Sequence, residues 1–152
     1  MIAVIIYYSK SGNTAKLAKK IQNRFPAEMV EIKPKSAYGN YVSAVVRVGG
    51  ENIRGKVPEY KAPDLDLANV DTVFIGYPIW YSSAPSFVLD YIRTLDLKGK
   101  TVIPFSTSGA SNIKVTLEKL KKAAKGANVV HPYNCGMFSK DDFEKWVKEV
   151  RG

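Results

Sequence analysis

An apolar run gives way within a handful of residues to an amphipathic one, and that junction constrains the chain more than any other stretch. Ile2-Ala3-Val4-Ile5-Ile6-Tyr7-Tyr8 is too uniformly apolar to alternate, so it reads as a strand covered on both faces. From Thr14 onward, Thr14, Leu17, Ala18 and Ile21 recur at helical spacing, with Lys16, Lys19 and Lys20 between them on the wet side. Ser9, Lys10, Ser11, Gly12 and Asn13 connect the two. A strand that turns through glycine into a helix leaves several backbone N–H groups without partners at the positive end of the helix dipole. The hydroxyls of Ser9, Ser11 and Thr14 converge on the same small volume. Such a volume suits a phosphate. The same residue types also build an ordinary capped turn between strand and helix.

The rest of the chain repeats this rhythm. The first helix is expected to end between Arg24 and Pro26, and Glu28-Met29-Val30-Glu31-Ile32-Lys33 alternates as a strand near a sheet edge until Pro34. Residues 34–69 are less regular, with a short helix over Tyr41, Val42, Ala44, Val45, Val46 and Val48 that breaks at Gly49-Gly50. Asp71-Thr72-Val73-Phe74-Ile75-Gly76 is a second apolar strand, leading into a loop that contains Pro78, Ile79, Trp80 and Tyr81. Ala84-Pro85 opens a helix whose inward stripe is Phe87, Val88, Tyr91, Ile92 and Leu95. Thr101-Val102-Ile103-Pro104-Phe105 is the next strand, and a loop of small residues follows: Thr107, Ser108, Gly109, Ala110, Ser111 and Asn112. A lysine-rich helix then turns Ile113, Val115, Leu117, Leu120 and Ala124 inward and stops at Gly126. Residues 127–131 form the last strand candidate. Ser139 caps a closing helix, with Asp142 at the capping-box position and Phe143, Trp146, Val147 and Val150 inward.

Strands alternating with helices imply right-handed βαβ units. The fold class is therefore α/β: one doubly wound domain over residues 1–152, a five-stranded parallel sheet in the order 2-1-3-4-5, with helices on both faces. Ligands of such sheets sit at the carboxyl ends of the strands where the order reverses. The three loops follow strands one, three and four, so they converge on that edge.

Several chemistries are excluded there. No Gly-x4-Gly-Lys-Ser/Thr and no Gly-x-Gly-x-x-Gly is present. Tyrosines stand where a response regulator of this topology needs its acidic cluster, and Gly109-Ala110-Ser111-Asn112-Ile113 lacks the second glycine of a nucleophile elbow. With one histidine, His131, and one cysteine, Cys135, no protein-only metal site is expected and no catalytic side chain is assigned. His131 reads as structural, and Cys135 as an inert small hydrophobe. No apolar stretch approaches the ~20 residues of a membrane span. The first strand starts directly after Met1, and the lone cysteine accords with a reducing compartment, so a cytoplasmic location is expected. A net charge of +9 would attract acidic partners. The lysines nevertheless lie on the wet faces of separate helices with no recognised motif, so specific nucleic-acid binding is not expected.

Tyr7, Ser9, Ser11, Gly12-x-Thr14, Ala18 and Ile21 together resemble the phosphate-loop signature of flavodoxins. Tyr38, Tyr41, Glu51 and Pro58 are similar to an insert of the family's short subgroup, and the resemblance covers nearly the whole chain. It implies FMN as cofactor. The phosphate would lie against Ser9, Lys10, Ser11, Gly12, Asn13 and Thr14, and the ring would stack on Trp80, flanked by Pro78, Ile79 and Tyr81. The pyrimidine edge would face Thr107, Ser108, Gly109, Ala110 and Ser111. The implied function is electron transfer to a redox protein or a small acceptor, by a monomer or weak dimer. An NAD(P)H-dependent FMN oxidoreductase acting on a quinone or similar acceptor is the alternative on the same scaffold. Two departures stand out. The loop after strand four carries no aromatic, leaving the second ring face open or covered by Tyr38 or Tyr41. Flavodoxins are typically acidic, whereas residues 9–14, 77–86 and 106–113 contain no acidic side chain.

Overall fold

The computed structural model describes residues 1–36, 47–50, 57–136 and 141–152. Among the described residues the elements follow one another as β1 (Ala3–Tyr7), α1 (Asn13–Arg24), β2 (Ala27–Glu31), β3 (Lys33–Pro34), β4 (Tyr60–Lys61), β5 (Thr72–Pro78), α2 (Ser86–Arg93), β6 (Thr101–Ser108), α3 (Leu117–Ala123), β7 (Asn128–Val129), β8 (Tyr133–Gly136) and α4 (Phe143–Arg151). A 3-10 turn, Ile113–Thr116, leads into α3, and residues 47–50 are helical. The main sheet runs β2-β1-β5-β6-β7, with β8 also paired to β6, and every pairing in it is parallel. This is the order expected from the sequence.

The fifth position is the correction. In place of one strand over residues 127–131, two short strands share the edge of β6. Thr101 faces Asn128 and Phe105 faces Tyr133, so the offset grows by one residue between the two pairs. The extra residue falls where His131 takes φ +50 and Pro132, which has no N–H to give, follows. Cys135 therefore lies in a strand, and it is exposed instead of filling the core.

Alternation along the strands builds two cores. Val4, Ile6, Tyr8, Val73, Ile75, Tyr77 and Val102 point to one face, where α2 and α3 cover them. Ile5, Tyr7, Phe74, Ile103 and Phe105 point to the other, beneath α1 and α4. On that second face Phe25, Phe74, Tyr133, Phe143 and Trp146 form a continuous aromatic cluster. The indole N–H of Trp146 donates to the His131 carbonyl at 2.6 Å, which ties α4 to the interrupted edge. Gly76 lies beside Phe105 in the sheet, and a Cβ there would come within 2.2 Å of the ring. The strand needs glycine at that point because the aromatic ring occupies the space.

A small two-stranded antiparallel sheet, β3 with β4, is separate from the main sheet. Two tyrosines anchor β4 and the segment after it: Tyr60 donates to Asp90 Oδ2 at 2.6 Å, and Tyr91 donates to the Pro63 carbonyl at 2.6 Å.

Helix ends differ in detail from expectation. Pro85 is the residue before α2 instead of a residue of its first turn. Asp142 is the residue before α4 and its side chain makes no capping bond. The predicted Ser139 cap, and the tyrosines Tyr38 and Tyr41, lie outside the described residues. Val115, expected in the core, is 53% exposed.

Candidate functional site

The loop after β1 closes on itself. The Gly12 N–H donates to Ser9 Oγ at 3.0 Å, and Gly12 turns the chain into α1 at φ +92. Only glycine takes that left-handed conformation without a steric penalty. The first intrahelical bond runs from the Lys16 N–H to the Gly12 carbonyl, so the N–H groups of Asn13, Thr14 and Ala15 precede it. No side chain caps this end, and no acidic residue lies in the first turn. Space around the Cα of Gly12 is open, with no atom within 4 Å of a Cβ placed there. Ser11 and Asn13 are exposed, Ser9 and Lys10 are half-buried, and Thr14 is 2% exposed. Uncompensated donors, a helix dipole and open space make this the best anion seat among the described residues.

A hydrogen bond between hydroxyls joins this loop to the third. Thr14 Oγ1 lies 2.7 Å from Thr107 Oγ1, a pairing of α1 with the end of β6. Ser108 Oγ donates to the Ser111 carbonyl at 2.5 Å, which bends residues 108–111 into a tight turn. Gly109, Ala110 and Ser111 are exposed, and nothing crowds Gly109. Asn112 then accepts from the Lys114 N–H at 3.0 Å and starts the 3-10 turn.

The second loop follows β5. Pro78 ends the strand opposite Thr107, and the Ile79 N–H reaches the Thr107 carbonyl at 3.4 Å. Trp80 and Ser83 exchange two backbone hydrogen bonds, at 2.9 and 3.0 Å, around Tyr81 and Ser82, whose φ angles are +51 and +59. That is a type I′ turn made without glycine or asparagine. Each left-handed non-glycine residue costs on the order of 1 kcal/mol. Ser82→Gly should therefore stabilise the protein by about 0.5–1 kcal/mol after the unfolded-state entropy of glycine is counted, seen as a rise in Tm of ~1–4 °C. The turn holds Tyr81 at 53% exposure. Trp80 is half-buried and meets Tyr8 edge-to-face, with centroids 5.6 Å apart. Tyr8 in turn packs on Phe87 at 4.8 Å, so the indole rests on a rigid column of rings. A Cβ on Gly49 would lie 2.7 Å from Tyr81 Oη, which brings residues 47–50 against this loop.

The fold thus brings all three predicted loops to one rim, at the carboxyl ends of β1, β5 and β6. What the sequence did not reveal is their support. Tyr77 is fully buried beneath the rim. Thr116 gives its hydroxyl proton to the Ile113 carbonyl at 2.7 Å, so it accepts from Tyr77 Oη at 2.8 Å. Burial pushes the Tyr77 phenol up to about 12, so it stays neutral. Tyr8 is shifted in the same direction by burial, with Arg47 opposing. Behind the rim a polar groove of about 240 Å³ lies between Lys114 and α4, with Tyr133 and Asn134 in its wall. Of the three loops only the third reaches it, through Asn112. Among the described residues no group of three or more histidines, cysteines or carboxylates is placed to hold a metal, and no helix is long and apolar enough to cross a membrane.

Comparison with known proteins agrees with this architecture. No curated protein matches the chain. A flavoprotein candidate from Bacteroides uniformis is 30% identical with a TM-score of 0.83, over 97% of both chains. A flavoprotein from Lactobacillus acidophilus, solved in complex with FMN, is 25% identical with a TM-score of 0.73, over 95% of this chain and 97% of that one. Flavodoxin 1 from Bacillus cereus shares the fold at 19% identity and a TM-score of 0.58, over 99% and 95% of the two chains. The flavodoxin family model matches residues 2–150, and the chain belongs to the flavodoxin family.

Proposed function

We propose that the rim binds FMN and that the protein transfers electrons through it. The observation that carries the reading is the start of α1, with its open left-handed glycine, N–H groups that precede the first intrahelical bond and no acidic residue in its first turn. FMN, bound, supplies one- and two-electron chemistry that no side chain here possesses. The residues present fit it. Asn13, Thr14 and Ala15 direct N–H groups at the phosphate position, and Lys10 adds a cation at the loop's lip. Thr14 and Thr107 lock the phosphate loop to β6, fixing the distance between the phosphate seat and the ring seat. Trp80, held by Tyr8, offers an apolar face, and residues 108–111, which follow the Thr107 carbonyl bonded to the Ile79 N–H, would present backbone donors to the edge of a ring. Because Tyr8 and Tyr77 remain protonated, they add no negative charge below the ring.

A second reading has one observation in its favour. Gly109, Ala110 and Ser111 are exposed and carry almost no side chain, which leaves room beside them for a small acceptor such as a quinone. Adding FMN to the apoprotein tests both readings. A stoichiometric yellow complex with quenched flavin fluorescence and a Kd of about 1 μM or below is expected; an unchanged spectrum would refute the assignment. Rapid steady-state oxidation of NAD(P)H by the pure holoprotein would favour the oxidoreductase, and negligible turnover the carrier.

A further inference from the structure

We propose that Trp80, Tyr8 and Tyr60 form a route along which an oxidising equivalent leaves the ring seat and comes to rest on Tyr60. The source of that equivalent rests on the flavin reading above, while the route itself is built from protein alone. The indole of Trp80 meets the ring of Tyr8 edge-to-face at 5.6 Å. Tyr8 meets Phe87 at 4.8 Å, and Phe87 meets Tyr60 at 6.3 Å, so each ring is in contact with the next. Tyr8 and Phe87 belong to the core covered by α2, and Tyr60 packs at its margin from β4. The rings of the other core, Phe25, Phe74, Tyr133, Phe143 and Trp146, lie across the sheet and do not join the column.

The far end of the column differs chemically from the rest of it. Tyr60 Oη donates to Asp90 Oδ2 at 2.6 Å, a short bond to a charged acceptor. Tyr77 and Tyr91 bond a hydroxyl and a carbonyl instead, groups that take up no proton at neutral pH. A phenol gives up an electron far more readily when its proton can leave in the same step, because the phenol radical cation is a strong acid. Asp90 is in place to receive that proton. Tyr8 is acted on by burial and by Arg47 but by no carboxylate among the described residues, so it passes the charge on without keeping it. Phe87, harder to oxidise than either tyrosine, only bridges them. Burial, aided by the hydrogen bond and the charge of Asp90, raises the Tyr60 phenol, so its proton stays in place until the electron leaves. The steps balance without another reactant. Trp80 gives one electron to the light-excited flavin. One electron then crosses from Tyr60 to Trp80 by way of Tyr8, and the Tyr60 proton moves to Asp90. When the electron held by the flavin returns to Tyr60 and Asp90 gives the proton back, every group is restored. The indole beneath the flavin is thereby spared a long-lived radical.

Pulse radiolysis with the azide radical, a one-electron oxidant of indoles, tests the route on the full chain without FMN. From water this radical reaches the half-buried Trp80 more readily than Trp146, which is 4% exposed. The indolyl absorption should decay as that of a neutral tyrosyl radical grows, at a first-order rate independent of protein concentration. Tyr60→Phe keeps the ring and removes the phenol, and it should abolish the tyrosyl growth. Asp90→Asn should slow that growth about tenfold, since the amide takes up no proton. A tyrosyl yield that survives Tyr60→Phe, or a rate unchanged in Asp90→Asn, would overturn the proposal. So would growth that survives Trp80→Phe, which would come from Trp146 and Tyr133, whose rings lie 5.0 Å apart. In the FMN-loaded protein a flash of blue light should produce the same tyrosyl radical, and Tyr60→Phe should lack it. A chain that takes up no FMN would end the flavin reading, and the azide experiment would still decide the route.

Discussion

Gly12→Asp combined with Thr14→Val is expected to weaken FMN binding by about 100-fold or more, ~3 kcal/mol. The glycine's left-handed φ of +92 is one that aspartate tolerates better than most side chains, so the loop should survive with modest strain. Its carboxylate would then occupy the open space beside the helix N-terminus. Two like charges about 5 Å apart repel by roughly 3 kcal/mol at an intermediate dielectric, and a dianionic phosphate feels more. Thr14→Val adds a second loss, because Thr107 Oγ1 is left without the hydroxyl it meets at 2.7 Å. Isothermal titration with FMN measures the effect, and riboflavin provides the control. Lacking a phosphate, riboflavin should bind the variant and the wild type within a few-fold of each other. Equal FMN affinities in the two proteins would place the phosphate elsewhere.

Gly76→Ala should destabilise the protein by roughly 3 kcal/mol, one of the largest effects available to a single added methyl group. The new Cβ would overlap two Phe105 ring atoms at 2.2 Å, and both residues are in adjacent central strands of the sheet. Phe105 cannot yield, because it is fully buried in the core beneath α1 and α4. For a chain of this size the melting temperature should fall by about 6–12 °C. Adding Phe105→Leu to Gly76→Ala should recover part of the loss, since the smaller side chain vacates the contested volume. Urea unfolding with unchanged slope would register both steps. A Gly76→Ala protein as stable as the wild type would mean that the ring moves aside at little cost.

The legible parts of this fold were those whose residues obey a single period. Val4 to Tyr8, Val73 to Ile75 and Val102 to Phe105 are apolar without a break, because parallel strands in the middle of a sheet are buried on both faces. Each helix was found from its apolar stripe, and the three loops from their glycine and hydroxyl content. The sequence hid what depends on irregular geometry or on contact between distant segments. β8 escaped because Asn134 and Cys135 interrupt any apolar pattern and Pro132 stands just before it. Val115 was assigned to the core on a period of 3.6, whereas the 3-10 turn advances three residues per turn. The hairpin turn at Trp80–Ser83 uses tyrosine and serine where glycine or asparagine is the usual signal, so composition gave no warning of it. The Thr14–Thr107 hydrogen bond joins residues 93 positions apart, beyond the reach of any local pattern.

The split at His131 and Pro132 bears on how the molecule keeps its own kind at a distance. A sheet margin with a long, even row of amide donors is a template on which another chain can add itself. Here the margin offers two residues, then a displaced and donor-poor step, then four. A visiting segment could not stay in register across that step. The irregularity thus blocks runaway fibre growth at one end of the sheet, while α4 stays fastened to it through Trp146.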